Sequence, residues 1–171
     1  MRSSSPMAAG QEEVPEWIGK ATAKLQGPKP HQVWSVLVED FCNIHRWLPA
    51  VDDCWQVAGV KGEVGAVRCV ATGGGKKLCN ETLISVDHGA RCLSYRALEN
   101  NVGIHRYVST MKVLPAAEGG GGDDEAPGCR IEWSYEADPL DGMSRERFDG
   151  LIRNHLDGMV ENLEKTFPLN S

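Results

Sequence analysis

CRIEWSYEADPLDGMSRERFDGLIRNHLDGMVENLEKTF, residues 129–167, contains two hydrophobic periods in succession. Over its first eight residues, Cys129, Ile131, Trp133 and Tyr135 alternate with Arg130, Glu132, Ser134 and Glu136. A period of two demands a strand with one buried face and one wet face. From Ser144 the period changes. Phe148, Leu151, Ile152, His155, Leu156, Met159, Val160, Leu163 and Phe167 recur at helical spacing, which predicts one amphipathic helix over 144–167. Ser144 supplies an N-cap oxygen. About 24 residues at 1.5 Å each give roughly 36 Å of helix, enough to cross a whole sheet.

Toward the N-terminus, Trp17, Gly19, Ala21, Ala23 and Leu25 alternate with Lys20, Thr22 and Lys24, marking a half-buried first strand over 17–25. Pro28-Lys29-Pro30 breaks it. Val33, Trp34, Val36, Leu37 and Val38 then cluster at helical spacing, and a second short helical stretch covers 41–48 before Pro49 stops it. Five further strands are predicted at about 54–58, 65–71, 77–86, 91–99 and 105–114. The breaks between them, Val60-Lys61-Gly62, Gly73-Gly74-Gly75, Asp87-His88-Gly89 and Asn100-Asn101-Val102-Gly103, are tight, as an antiparallel meander requires. PAAEGGGGDDEAPG, at 115–128, reads as a flexible acidic hairpin tip.

The element order is strand, two short helices, six strands, long helix. It predicts a single α+β domain over 16–168 behind a disordered tail at 1–15, with Met1 or Met7 as the start of the chain. A sheet with one apolar face has to be covered, and only the C-terminal helix is long enough to do it. One helix cannot fill a strongly curved seven-stranded antiparallel sheet. The room left over is expected to be a cavity lined by inward strand residues and the helix stripe.

Composition narrows the function. The 171 residues fit one domain, and 41% hydrophobic with 25% charged residues is ordinary for a globular protein. No run reaches the length of a membrane span, and the N-terminus lacks the apolar region of a secretory signal, so a cytoplasmic protein is expected. A net charge of −6 without a basic patch argues against a nucleic-acid partner. The cysteines at 42, 54, 69, 79, 92 and 129 form no C-x-x-C pair, so they read as reduced, small apolar residues rather than zinc or redox ligands. Gly73-Gly74-Gly75-Lys76-Lys77 lacks the first Gly and the Ser/Thr of a phosphate loop. No metal and no cofactor are expected, and the sequence carries no signal for an oligomeric state.

Several motifs, Phe41-Cys-Asn-Ile-His-Arg-Trp-Leu-Pro49, Val67-Arg68, Glu81-Thr-Leu-Ile-Ser-Val-Asp87, Leu93-Ser-Tyr95 and Glu132-Trp-Ser-Tyr135, stand in an order and spacing similar to those of lachrymatory-factor synthase and its plant relatives. These belong to the helix-grip superfamily, with the birch-pollen-allergen-like proteins, polyketide cyclases and START-like lipid-transfer domains. The resemblance runs from Trp17 to Phe167. It implies a helix-grip fold enclosing a small hydrophobic metabolite, and a cofactor-free proton shift or cyclisation as the reaction. A non-catalytic carrier or ligand-responsive binding protein is the alternative.

Arg68 and Glu81 match the catalytic pair of the lachrymatory enzyme. Independently of that match, they lie at equal distances from a turn centred on Gly74 and Gly75, so they can meet across two strands. Rearranging a sulfenic acid to a thial S-oxide moves a proton from oxygen to carbon. A carboxylate can carry the proton and a guanidinium can hold the oxyanion. Without the resemblance, the same two residues read as a structural ion pair or as solvent-facing. Phe41, Val70, Leu83, Tyr95, Tyr107, Trp133 and His155 are the candidate ligand contacts, each of which also reads as ordinary core. Tyr107 and Trp133 match aromatic positions of the lachrymatory enzyme. Ala97 and His155 stand where it has aromatics, implying a pocket of different size and polarity. The abscisic-acid receptors share the fold, but their gate loop is replaced by Thr72-Gly-Gly-Gly-Lys76, and Arg46 stands near the place of their anchoring lysine. A receptor of that type is not implied.

Overall fold

The computed structural model describes residues 14–117 and 126–169. The expected tail at 1–15 and acidic loop at 115–128 lie largely outside the described residues.

Strand β1, Trp17–Leu25, buries Trp17, Ala21 and Leu25 and leaves Ile18, Lys20, Thr22 and Lys24 outside. Helix α1, Pro30–Glu39, begins on Pro30, where a missing N–H leaves no bond unmade. Gln32 reaches back to accept from the Lys29 backbone N–H at 2.9 Å. A 3-10 helix, Phe41–Arg46, follows and is kinked at Asn43 (φ −130°). Six strands come next: β2 Asp53–Ala58, β3 Val67–Thr72, β4 Lys77–Asp87, β5 Cys92–Asn100, β6 Tyr107–Pro115 and β7 Cys129–Ala137. The sheet order is β1-β7-β6-β5-β4-β3-β2, antiparallel at every pairing. This is the seven-stranded α+β architecture read from the sequence. Strand β3 starts later than expected because Gly65, at φ +98°, leaves the extended region, although its N–H still reaches the Leu83 carbonyl at 2.9 Å.

Helix α2, Arg145–Thr166, is about 33 Å long. Ser144 Oγ caps it by accepting from the Arg147 N–H at 3.1 Å. Phe148, Ile152, Leu156, Met159 and Leu163 form its buried stripe. Both ends are fastened to β1 or its neighbour. At the C-terminal end, Glu164 accepts from the backbone N–H groups of Gln26 and Gly27 at 2.7 and 3.0 Å. Gly27 lies so close to the chain after α2 that a Cβ there would come within 2.2 Å of the Phe167 carbonyl. At the other end, the Tyr135 ring covers Gly19, its register partner, and meets Phe148 edge-on at 4.9 Å. The helix is therefore gripped at its two ends, and space under its N-terminal half can stay unfilled.

All six cysteines are free, and all but Cys92 are buried. Burial pushes the Cys54 thiol up to about 11 and that of Cys129 to about 12, which makes them poor nucleophiles and good packing groups. Among the described residues, no helix is long and apolar enough to cross a membrane.

Candidate active site

The β3–β4 turn sets the register of the candidate pair. Gly73, Gly74 and Gly75 take φ values of +61°, +72° and +84° in succession, a left-handed run that side chains resist. Asp52 Oδ2 fixes the turn by accepting from the N–H groups of Gly74 and Gly75 at 2.7 and 3.1 Å. With the turn so placed, Arg68 stands directly opposite Glu81.

Both side chains are buried, Arg68 at 5% and Glu81 at 9% exposure. Arg68 donates from Nε and Nη2 to a single carboxylate oxygen, Glu81 Oε1, at 2.8 and 2.7 Å, and from Nη1 to the Phe41 carbonyl at 2.9 Å. The guanidinium lies between two rings, 3.9 Å from the Phe41 centroid and 4.6 Å from that of Tyr95. Burial alone would lower the Arg68 pKa; the Glu81 carboxylate outweighs it and holds the guanidinium above its ordinary value. Nε, Nη1 and Nη2 are thus all engaged, and what Arg68 does in this geometry is orient Glu81. The second carboxylate oxygen, Glu81 Oε2, takes no hydrogen bond among the described residues.

That carboxylate stands in the wall of a chamber of about 140 Å³ beneath α2. Of the sequence candidates, Arg68, Val70, Glu81, Tyr95, Tyr107, Trp133 and His155 line it. Phe41 contributes from behind, through its ring and carbonyl on Arg68. Leu83 does not reach the chamber: it is fully buried in the core one inward position further along β4 from Glu81. Ile44, Leu48, Val51, Thr72, Ile104, Phe148, Leu151 and Ile152 complete the wall. Ile44 and Leu48 follow Phe41 in the quoted motif, and Phe148, Leu151 and Ile152 belong to the helix stripe; Val51, Thr72 and Ile104 carried no ligand-site signal in the sequence.

Most polar atoms of the wall are accounted for. Trp133 Nε1 donates to Ser109 Oγ at 2.7 Å, and that hydroxyl donates to the Ser134 carbonyl at 3.1 Å. Burial raises the phenols of Tyr95 and Tyr107, so both remain neutral. Beside Glu81 Oε2, His155 is an exception. Its Nδ1 is buried with no hydrogen-bond partner among the described residues. Burial lowers its pKa from 6.5, so the ring is neutral near pH 7 and stands 6.3 Å from Trp133.

A wider vestibule of about 750 Å³ adjoins the chamber and shares Thr72, Ile104, Phe148, Leu151 and His155 with it. Two loops form its rim, 101–106 before β6 and 138–144 before α2. They are zipped together by Asp141 N–H to the Gly103 carbonyl (3.1 Å), Asp138 N–H to the Arg106 carbonyl (3.0 Å), Arg106 to Asp138 (2.9 Å) and His105 Nε2 to Asp141 Oδ1 (2.9 Å). The hydrogen bond and charge of Asp141 raise the His105 pKa above 6.5. A raised folded-state pKa gives a contribution that is full below pH 6.5 and fades as the pH climbs through the raised value. Amide resonances of Gly103 and Asp141 are expected to titrate with His105 in the native chain, and the midpoint is expected to move to lower pH in Asp141→Asn. An unchanged titration in that variant would show the ion pair has no hold on the rim. Arg46 turns outward to Asp40 at 3.5 Å and lines neither space. Among the described residues, no cluster of three or more His, Cys, Asp or Glu is placed to hold a metal ion.

A curved antiparallel sheet holding a terminal helix over a polar-flecked chamber defines a helix-grip protein. Residues 22–164 match the polyketide cyclase / dehydrase and lipid transport family, and the chain belongs to it. Solved structures agree on the fold. The protein XoxI of Bacillus cereus is 22% identical and superposes with a TM-score of 0.67 over 88% of this chain and 95% of its own. A Thermobifida fusca protein is 22% identical at a TM-score of 0.67, over 90% of this chain and 97% of its own. Major latex-like protein 151 of Panax ginseng is 15% identical at a TM-score of 0.66, over 88% and 98%.

Proposed function

We propose that the chain binds a small, largely apolar metabolite in the chamber and that Glu81 moves a proton on it, with Arg68 as the residue that positions the carboxylate. The observation that carries this reading is the asymmetry of Glu81: Oε1 is spent on Arg68, while Oε2 is unbonded in a mostly apolar wall. A fixed, water-poor carboxylate with one free oxygen is suited to accept a proton from one atom of a ligand and return it to another. At roughly 30 Å³ per water-sized group, the chamber's 140 Å³ holds about four or five heavy atoms. The resemblance to lachrymatory-factor synthase gives the reaction its type. The proton leaves an oxygen acid and returns to carbon of the same molecule, so no oxidant, metal or cofactor is consumed. The neutral imidazole of His155, in the same wall, supplies a second polar contact for the ligand.

Screening small apolar oxygen and sulfur acids for thermal stabilisation, then following each binder for conversion, tests the reading, because a ligand bound only to the folded chain raises its stability. Glu81→Gln is expected to keep binding and lose about 10²–10⁴-fold in turnover. Binders that are never converted, or turnover unchanged in Glu81→Gln, would leave the carrier function instead. The full engagement of the guanidinium in structural contacts is the observation on that side.

A further inference from the structure

We infer that the ligand is an amphiphile whose apolar end occupies the chamber and whose carboxylate head is held in the vestibule by Lys77 and Arg147. The inference rests on the ligand-binding reading above and specifies the ligand class. The chain carries a net charge of −6, yet both cations in the vestibule lining, Lys77 and Arg147, lack an anionic partner among the described residues. The acid in that lining, Asp141, is already committed to His105 at 2.9 Å. The free charge at the mouth is therefore positive on a negative molecule.

Both cations stand at fixed places. Lys77 is the register partner of Thr72 across the triple-glycine turn. An added Cβ on Gly73 would meet Lys77 Cδ at 3.2 Å, so the lysine stem runs along the turn that Asp52 pins. Arg147 sits in the first turn of α2, where the helix dipole disfavours a cation, so local helix energetics do not account for its place. The two come from opposite sides of one opening, the β3–β4 turn and the start of α2. They reach the vestibule just outside Thr72, Phe148 and His155, which the two spaces share. A short alkyl end filling the chamber brings the head of the same molecule to this level. A single negative charge fits better than a phosphate or a polyanion, because Asp141 stands in the same lining and the whole molecule repels higher charge.

Octanoate and its neutral isostere octanamide are the probes, with binding measured by calorimetry at low and high salt on the native chain, Lys77→Ala, Arg147→Ala and the double variant. Octanoate is expected to bind more tightly than octanamide at low salt, to lose the advantage at high salt, and to weaken up to about fivefold for each cation removed. Octanamide affinity should not change in any variant. Octanamide bound as tightly as octanoate at low salt, or octanoate affinity unchanged in the double variant, would overturn the head-group inference and leave the apolar site standing. Failure of both probes to bind would instead remove the site reading and this inference with it. Both residues are exposed, so circular dichroism of the variants should be native.

Discussion

Arg68→Leu is expected to destabilise the fold by about 3–5 kcal/mol, because it strands the Glu81 carboxylate in a buried wall. For a domain of this size that is a fall in Tm of roughly 6–20 °C. Glu81→Leu should act in the same direction, leaving a guanidinium whose remaining partners are the Phe41 carbonyl and two aromatic faces. The double variant Arg68→Leu/Glu81→Leu should recover most of the loss, since it buries no charge at all. What it does not recover is the cation–π contact, of the order of 1–2 kcal/mol when desolvated. Denaturant titration of the four proteins gives the coupling directly. Singles costing under about 1 kcal/mol would mean the pair is screened by water as at a surface, and a wet chamber would undercut Glu81 as a proton carrier. The double variant also separates stability from chemistry: folded but inactive, it would place the loss of turnover on the missing pair and not on unfolding.

The 68–81 pairing was legible before any coordinates because it depends on local arithmetic. Three glycines fix a turn, and residues equidistant from it must face each other. The strand with period two and the helix with period 3.6 were legible for the same reason: burial on one face imposes a period that composition cannot hide. What the sequence could not supply was depth. Leu83 and Glu81 share an inward face of β4, yet only Glu81 meets empty space, because the wall is set by where α2 and the 3-10 helix stop touching the sheet. Phe41 was singled out as a ligand contact, but its carbonyl and ring serve Arg68 instead. The carbonyl contact is a backbone property that no side-chain pattern encodes. Ile104 and Arg147 went unread because a loop residue and a surface cation become part of a cavity only once the rim loops close on α2.

The same gap between period and depth predicts a contrast within α2. Leu163 and Leu151 lie on one apolar stripe in the sequence, but Leu163 has 0% exposure while Leu151 has 38% and lines both spaces. Leu163→Ala should cost about 2–5 kcal/mol, the transfer loss plus the new void among close-packed neighbours. Leu151→Ala should stay within about 0.5 kcal/mol, because its side chain already borders unfilled room and leaves no fresh hole. Its effect belongs to binding: a smaller residue widens the passage from vestibule to chamber and should shift preference toward bulkier ligands. The shift in denaturation midpoint at constant m-value reads the first effect, and relative affinities across a ligand series read the second. Equal destabilisation by the two substitutions would mean that α2 is packed along its whole length in solution. In that event the N-terminal half of the helix would rest on side chains, and no ligand could be housed beneath it.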